Sequence, residues 1–134
     1  MGWTVRRAGT TAVVRRPGGQ DAALVSVSVF RLAQPYSPVL FRVAARELDG
    51  VAAKLARASG GRVTESVTTT VDGQRTRAYR FTSHPRGRPS TDDRIGFVLE
   101  GRHEYQLLCR APAGAGDPDG ACALLFSSFA ARLE

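Results

Sequence analysis

The sequence is short of lysine, histidine and cysteine, and it contains no long apolar run. Lys54 is the only lysine among 19 basic residues, and only His84 and His103 have side chains that titrate near neutral pH. No segment approaches the roughly 20 consecutive apolar residues that cross a bilayer, which excludes a spanning helix of that kind. Glycine-rich phosphate cradles are missing as well, since Gly18-Gly19 and Gly60-Gly61 read as turn glycines. Two cysteines and two distant histidines lack metal-ligand spacing, so neither a metal nor any other cofactor is expected. Met1-Gly2-Trp3 runs straight into strand-like sequence, without the basic and apolar regions of a signal peptide.

What is present describes a folded domain. A chain of 134 residues falls in the range of one domain with one core. Its 43% hydrophobic and 23% charged residues are the composition of a globular protein and not of a disordered one. The net charge of +7 is carried almost wholly by arginine. Arginine offers a planar fork to phosphates and carboxylates. Near-total replacement of lysine by arginine, beside many Ala and Gly, is also the mark of a GC-rich genome, and that is the plainer reading.

Periodicity orders the elements. Trp3 to Arg7 and Thr11 to Arg15 read as short strands, and Pro17-Gly18-Gly19 forces a turn. Ala22 to Phe30 alternates, with Ala23, Val25, Val27 and Val29 opposite Ser26 and Ser28. After Pro35-Tyr36-Ser37-Pro38, with Ser37 as helix cap, the period becomes 3.6. Leu40, Val43, Ala44, Leu48, Val51 and Leu55 then form an apolar stripe that ends near Ser59, and Gly50 is a weak point within it. Arg62 to Val71 and Gln74 to Thr82 are strands joined by Asp72-Gly73, a two-residue hairpin signal. Asp93 to Glu100 and His103 to Arg110 form another hairpin, with the rows Ile95, Phe97, Leu99 and Tyr105, Leu107, Cys109 facing the core. Asp117 caps a last helix that begins at Pro118 and carries Cys122, Leu125, Phe126, Phe129 and Leu133. The expected fold is α+β: a mainly antiparallel sheet of six to seven strands with two helices packed on it.

Few residues offer chemistry. Cys109, near the end of a strand, and Cys122, in the first turns of the last helix, are placed to form a disulfide, which belongs outside the cytosol. His84 lies in a Pro/Arg loop and His103 beside a hairpin turn; both read as surface histidines without a nucleophile or orienting carboxylate. Ser127 and Ser128 lack nucleophile-elbow glycines. Asp92 and Asp93 read as solvated charge at a strand start. Arg75 and Arg77 on one strand face, with Arg86 and Arg88 in the following loop, form a candidate surface for an anionic partner such as acidic lipid, an envelope polymer or an acidic protein. Nucleic acid is not expected, because Tyr79 and Phe81 fit core positions better than a stacking platform.

Gly2-Trp3-Thr4-Val5, Val71-Asp72-Gly73-Gln74 with Tyr79-Arg80-Phe81, the strand His103 to Cys109, and Leu125-Phe126-Ser127-Ser128-Phe129 together resemble the PsbP-like superfamily. That group includes the extrinsic photosystem II protein, the Mog-type Ran-binding protein and LpqN-type bacterial lipoproteins. The resemblance implies an antiparallel sheet with helices on its faces, and a protein that acts by binding other macromolecules, with no catalytic residues to transfer. Such proteins carry a further strand, and bacterial ones often an export signal or lipid-anchor cysteine, ahead of the Gly-Trp. The native chain is accordingly expected to carry a signal or anchor segment before Met1. The resulting expectation is a non-catalytic, secreted or lipid-anchored accessory protein that binds a protein partner or a small apolar ligand. The alternatives are a cytosolic adaptor or chaperone-like module of a secretion apparatus and a small hydrolase or lipid-handling enzyme.

Overall fold

The structure, a computed structural model, describes residues 3–16 and 23–131. The turn expected at Pro17-Gly18-Gly19, the strand position Ala22 and the last stripe residue Leu133 lie outside the described residues. Seven strands follow the expected order: β1 (Thr4–Ala8), β2 (Thr11–Arg15), β3 (Leu24–Arg31), β4 (Val63–Val71), β5 (Gln74–Ser83), β6 (Thr91–Glu100) and β7 (His103–Pro112). Helix α1 (Phe41–Ala58) joins β3 to β4, and α2 (Ala121–Ser128) follows β7. The strands form one antiparallel sheet in the order β1-β2-β3-β7-β6-β5-β4. Every neighbouring pair except β3–β7 is consecutive in the chain. The crossover through α1 therefore carries the chain from β3 to the far edge, and three hairpins bring it back to lie beside β3.

Local sequence explains the turns. Asp72 and Gly73 have φ of 52° and 72°, the two left-handed positions that a tight hairpin twisting with its strands demands. Ser37 does not cap as expected: its backbone is extended and its hydroxyl makes no bond to the helix start, while its carbonyl accepts from Leu40 N–H at 2.8 Å. Asp117 does cap, but across an intervening turn at Pro118–Gly120, its carboxylate accepting from the N–H groups of Cys122 and Ala123 at 2.8 and 3.0 Å.

The expected single core is two. Leu48, Ala52 and Ala56 of α1 pack with Tyr79, Phe81, Ile95, Phe97 and Leu99 on one face of the sheet. Cys122 and Phe126 of α2 pack with Ala78, Val98, Leu107 and Cys109 on the other. The rows Ile95-Phe97-Leu99 and Tyr105-Leu107-Cys109 thus face opposite ways. The reason is visible in β6, where Ile95-Gly96-Phe97-Val98-Leu99 is apolar at both parities, as a strand covered on both faces must be. Gly96 completes the α2 face, because a Cβ there would lie 2.6 Å from the Phe126 ring.

Helix α1 also seats differently from its apolar stripe. The buried seam is Ala44, Leu48, Ala52 and Ala56, spaced by four, so the helix lies close to the sheet. Val43, Val51 and Leu55 flank this seam and remain exposed, Val43 by 60%. Asp49 fastens the helix edge to β5, accepting from the Tyr79 hydroxyl and from Arg77 Nε at 3.1 Å. Burial and then the bond to Asp49 push the Tyr79 phenol far above its ordinary range, so it stays a proton donor.

Candidate functional site

Strand β7 and helix α2 are joined covalently. Cys109 and Cys122 form a disulfide with 5.6 Å between their Cα atoms, and both are buried. The bridge is possible because β7 points Cys109 to the α2 face and Asp117 fixes the helix start on which Cys122 sits. A cavity of about 490 Å³ opens beside it, lined in part by both cysteines, Arg80, Arg94 and Asp117.

The four arginines expected to share one surface do not. Arg75 and Arg77 stand at one end of β5, and Arg86 and Arg88 lie in the loop beyond its other end. The eight residue steps from Arg75 to Ser83 span roughly 26 Å of extended strand. Arg77 is moreover engaged by Asp49 and by Thr68 Oγ1, at 3.1 Å each, and Arg75 lies over the Phe41 ring, 4.5 Å from its centroid. This pair anchors α1 to the sheet. Arg80, on the opposite face, pairs with Glu65 at 3.4 Å.

Arg86 and Arg88 have other company. Together with Arg15, Arg57 and Arg110 they surround a cavity of about 580 Å³. One wall is the end of α1, the other is the loop between β5 and β6, and the floor is made by the ends of β2, β3 and β7. No carboxylate lines the cavity among the described residues. Arg15, Arg57, Arg86 and Arg88 take part in no ion pair among the described residues. His84 lies on the loop wall, its Nδ1 at 2.8 Å from Ser90 Oγ.

Arg110 is the fixed member of this group. Beneath it Asp93, expected as solvated charge, is buried, and its carboxylate accepts from Arg110 Nε and Nη2, from Thr91 Oγ1 and from Ser83 Oγ. Asp92 does point outward, accepting from Gly114 N–H at 3.0 Å and from Thr82 Oγ1 at 3.3 Å. Arg15, Arg57 and Arg110 are the members that sequence reasoning missed. They come from three separate segments, and only the strand order places them around one space.

The remaining candidates are built into the fold. Ser127 and Ser128 donate back to the Leu124 carbonyl. His103 is half-buried, not a free surface histidine, with its ring tilted against Tyr105 at 6.0 Å.

Solved structures share this architecture. No protein-family model and no curated protein sequence matches the chain. A Pseudomonas aeruginosa protein of unknown function, PA94, superposes with a TM-score of 0.65 at 14% identity, covering 98% of this chain and 99% of its own. A Bacteroides thetaiotaomicron protein superposes with a TM-score of 0.60 at 10% identity over 98% of this chain. The chain spans 42% of the Bacteroides protein's length. These similarities show a shared fold.

Proposed function

We propose that this protein is a non-catalytic binding module that works in an oxidising, extracytoplasmic compartment, secreted or lipid-anchored, and takes an anionic partner in the arginine-walled cavity. The observation that carries the reading is that five arginines line one cavity with no carboxylate on its lining among the described residues. Such a field attracts and holds negative charge, and planar guanidinium forks match oxyanions. The Cys109–Cys122 bridge supports the compartment, because disulfides persist where thiols are not kept reduced. The seven-stranded sheet with a helix on each face supports the resemblance to PsbP-like proteins, which act through binding. The absence of catalysis is supported by the use of the polar side chains: Ser83, Thr91, Ser127 and Ser128 are spent on internal bonds. This reading favours the anionic partner over the protein or small apolar ligand also expected from the sequence.

Two measurements test this reading. Thiol titration of protein purified under native conditions should find no free thiol; two titratable thiols would move the module to the cytosol. Replacing Arg86 and Arg88 by Glu should sharply reduce retention on acidic vesicles or cell-envelope extract at low salt. Unchanged retention would make the cavity ordinary surface.

A further inference from the structure

We infer that the ligand of the arginine-walled cavity carries two phosphate groups, as a diphosphate or a bisphosphorylated headgroup does. This inference rests on the anion-binding reading above and names the ligand class for the same cavity.

Asp93 already offsets Arg110 through two hydrogen bonds, which leaves Arg15, Arg57, Arg86 and Arg88 without a carboxylate partner among the described residues. A phosphate monoester carries roughly −1.5 to −2 at neutral pH. One such group leaves about half of the four charges unmatched, and two come close to matching them.

The four arginines without an ion pair come from separate elements, Arg57 from the end of α1, Arg86 and Arg88 from the loop between β5 and β6, and Arg15 from the end of β2. Two linked phosphate groups can offer each wall the paired hydrogen bonds that make guanidinium–phosphate contacts strong. The cavity, at about 580 Å³, lies well within the range of small-ligand sites and has room for more than one such group. Leu24, Pro85 and Pro112 line it too, offering apolar contact to the scaffold that joins the phosphates.

Helix α1 ends at the cavity and would present its negative pole to an anion. Its terminal carbonyls are occupied: Ala56 O accepts from Gly61 N–H at 2.9 Å, Arg57 O from Gly60 N–H at 3.0 Å, and Ser59 O from His84 N–H at 2.7 Å. The opposing field is thereby reduced where Arg57 projects.

Calorimetry with inorganic pyrophosphate, orthophosphate and sulfate in about 0.1 M salt tests the inference. Pyrophosphate should bind at least about tenfold tighter than either single anion, roughly 1.4 kcal/mol. Exchanging Arg86 and Arg88 for Glu should weaken pyrophosphate by about tenfold or more, since each lost contact is a charge-assisted hydrogen bond. The control Arg42→Glu/Arg46→Glu makes the same charge change at the exposed far end of α1, roughly 16 to 22 Å along the helix from Arg57, and should leave binding within about twofold, because exposed charges beyond a Debye length of about 10 Å at 0.1 M salt are screened. Thermal melts of both variants establish that they fold. Vesicles with a bisphosphorylated inositol headgroup, compared with vesicles of phosphatidylglycerol, separate the sources: selective retention assigns a lipid headgroup, and pyrophosphate binding without retention assigns a soluble diphosphate. Equal affinity for orthophosphate and pyrophosphate overturns the inference while the anion-binding reading stands. Equal weakening by the control pair overturns it as well, and binding of none of the anions removes both.

Discussion

Arg110 holds the buried carboxylate of Asp93 through two parallel hydrogen bonds, Nε to Oδ1 at 3.1 Å and Nη2 to Oδ2 at 2.9 Å. Asp93 stands on β6 opposite Arg110 on β7, so one ion pair both stitches adjacent strands and fixes a residue of the basic cavity. Removing one partner strands a buried charge. Arg110→Ala should therefore cost about 3–5 kcal/mol in urea denaturation. The double variant Arg110→Met/Asp93→Leu should recover most of that loss, and a double variant as unstable as the single one would show that Asp93 is not paying its cost through Arg110.

The Cys109–Cys122 bridge closes a short loop, 13 residues apart in sequence. Replacing both cysteines by Ala should destabilise by about 3 kcal/mol, chiefly by freeing the unfolded chain. Reduction of the parent protein should reproduce the shift in denaturation midpoint. A loss under about 1 kcal/mol would mean that α2 docks through Phe126 and the apolar contacts around it without help.

Two glycine replacements should act in opposite directions. Gly50 sits on an exposed turn of α1, and a Cβ there meets nothing within 4 Å. Gly50→Ala should raise stability by about 0.5–1 kcal/mol. Gly96→Ala forces a methyl against the Phe126 ring at 2.6 Å and should cost about 1–3 kcal/mol while disturbing α2. Thermal melts of the two variants, with near-ultraviolet dichroism for the second, measure both effects.

Glu100 should set a pH dependence of its own. Burial first, then the nearby Asp72 carboxylate, raises its pKa above the ordinary value. Its Oε2 is buried without a hydrogen-bond partner. The folded protein consequently holds this proton more tightly than the unfolded chain. Its favourable contribution is complete below the unfolded value of about 4.3 and is lost as pH rises through the raised folded value. Glu100→Gln should then gain up to about 1 kcal/mol over the parent at neutral pH, a modest figure because the group is partly exposed. The advantage should shrink at mildly acid pH, and a gain that is the same at both values would place its origin elsewhere.

The sequence by itself determined the element list, the antiparallel pairing and the cysteine bridge, because each rests on short-range signals. Alternation of Val and Ser in β3, the Asp72-Gly73 turn and the Asp117 cap act over a few residues, and β7 and α2 are neighbours in the chain. The tertiary structure alone decided which face each helix covers. It also separated Arg75 and Arg77 from Arg86 and Arg88, since consecutive strand and loop residues can lie a whole strand apart. Likewise it turned Asp93 inward, since a strand's first carboxylate is solvated or buried according to what stands opposite, here Arg110. The cavity belongs to this second class. Arg15, Arg57 and Arg88 are far apart along the chain and meet only because the α1 crossover sends β4 to the far edge and returns β7 beside β3. Local propensity carries no information about that order; the burial of two opposite apolar faces does.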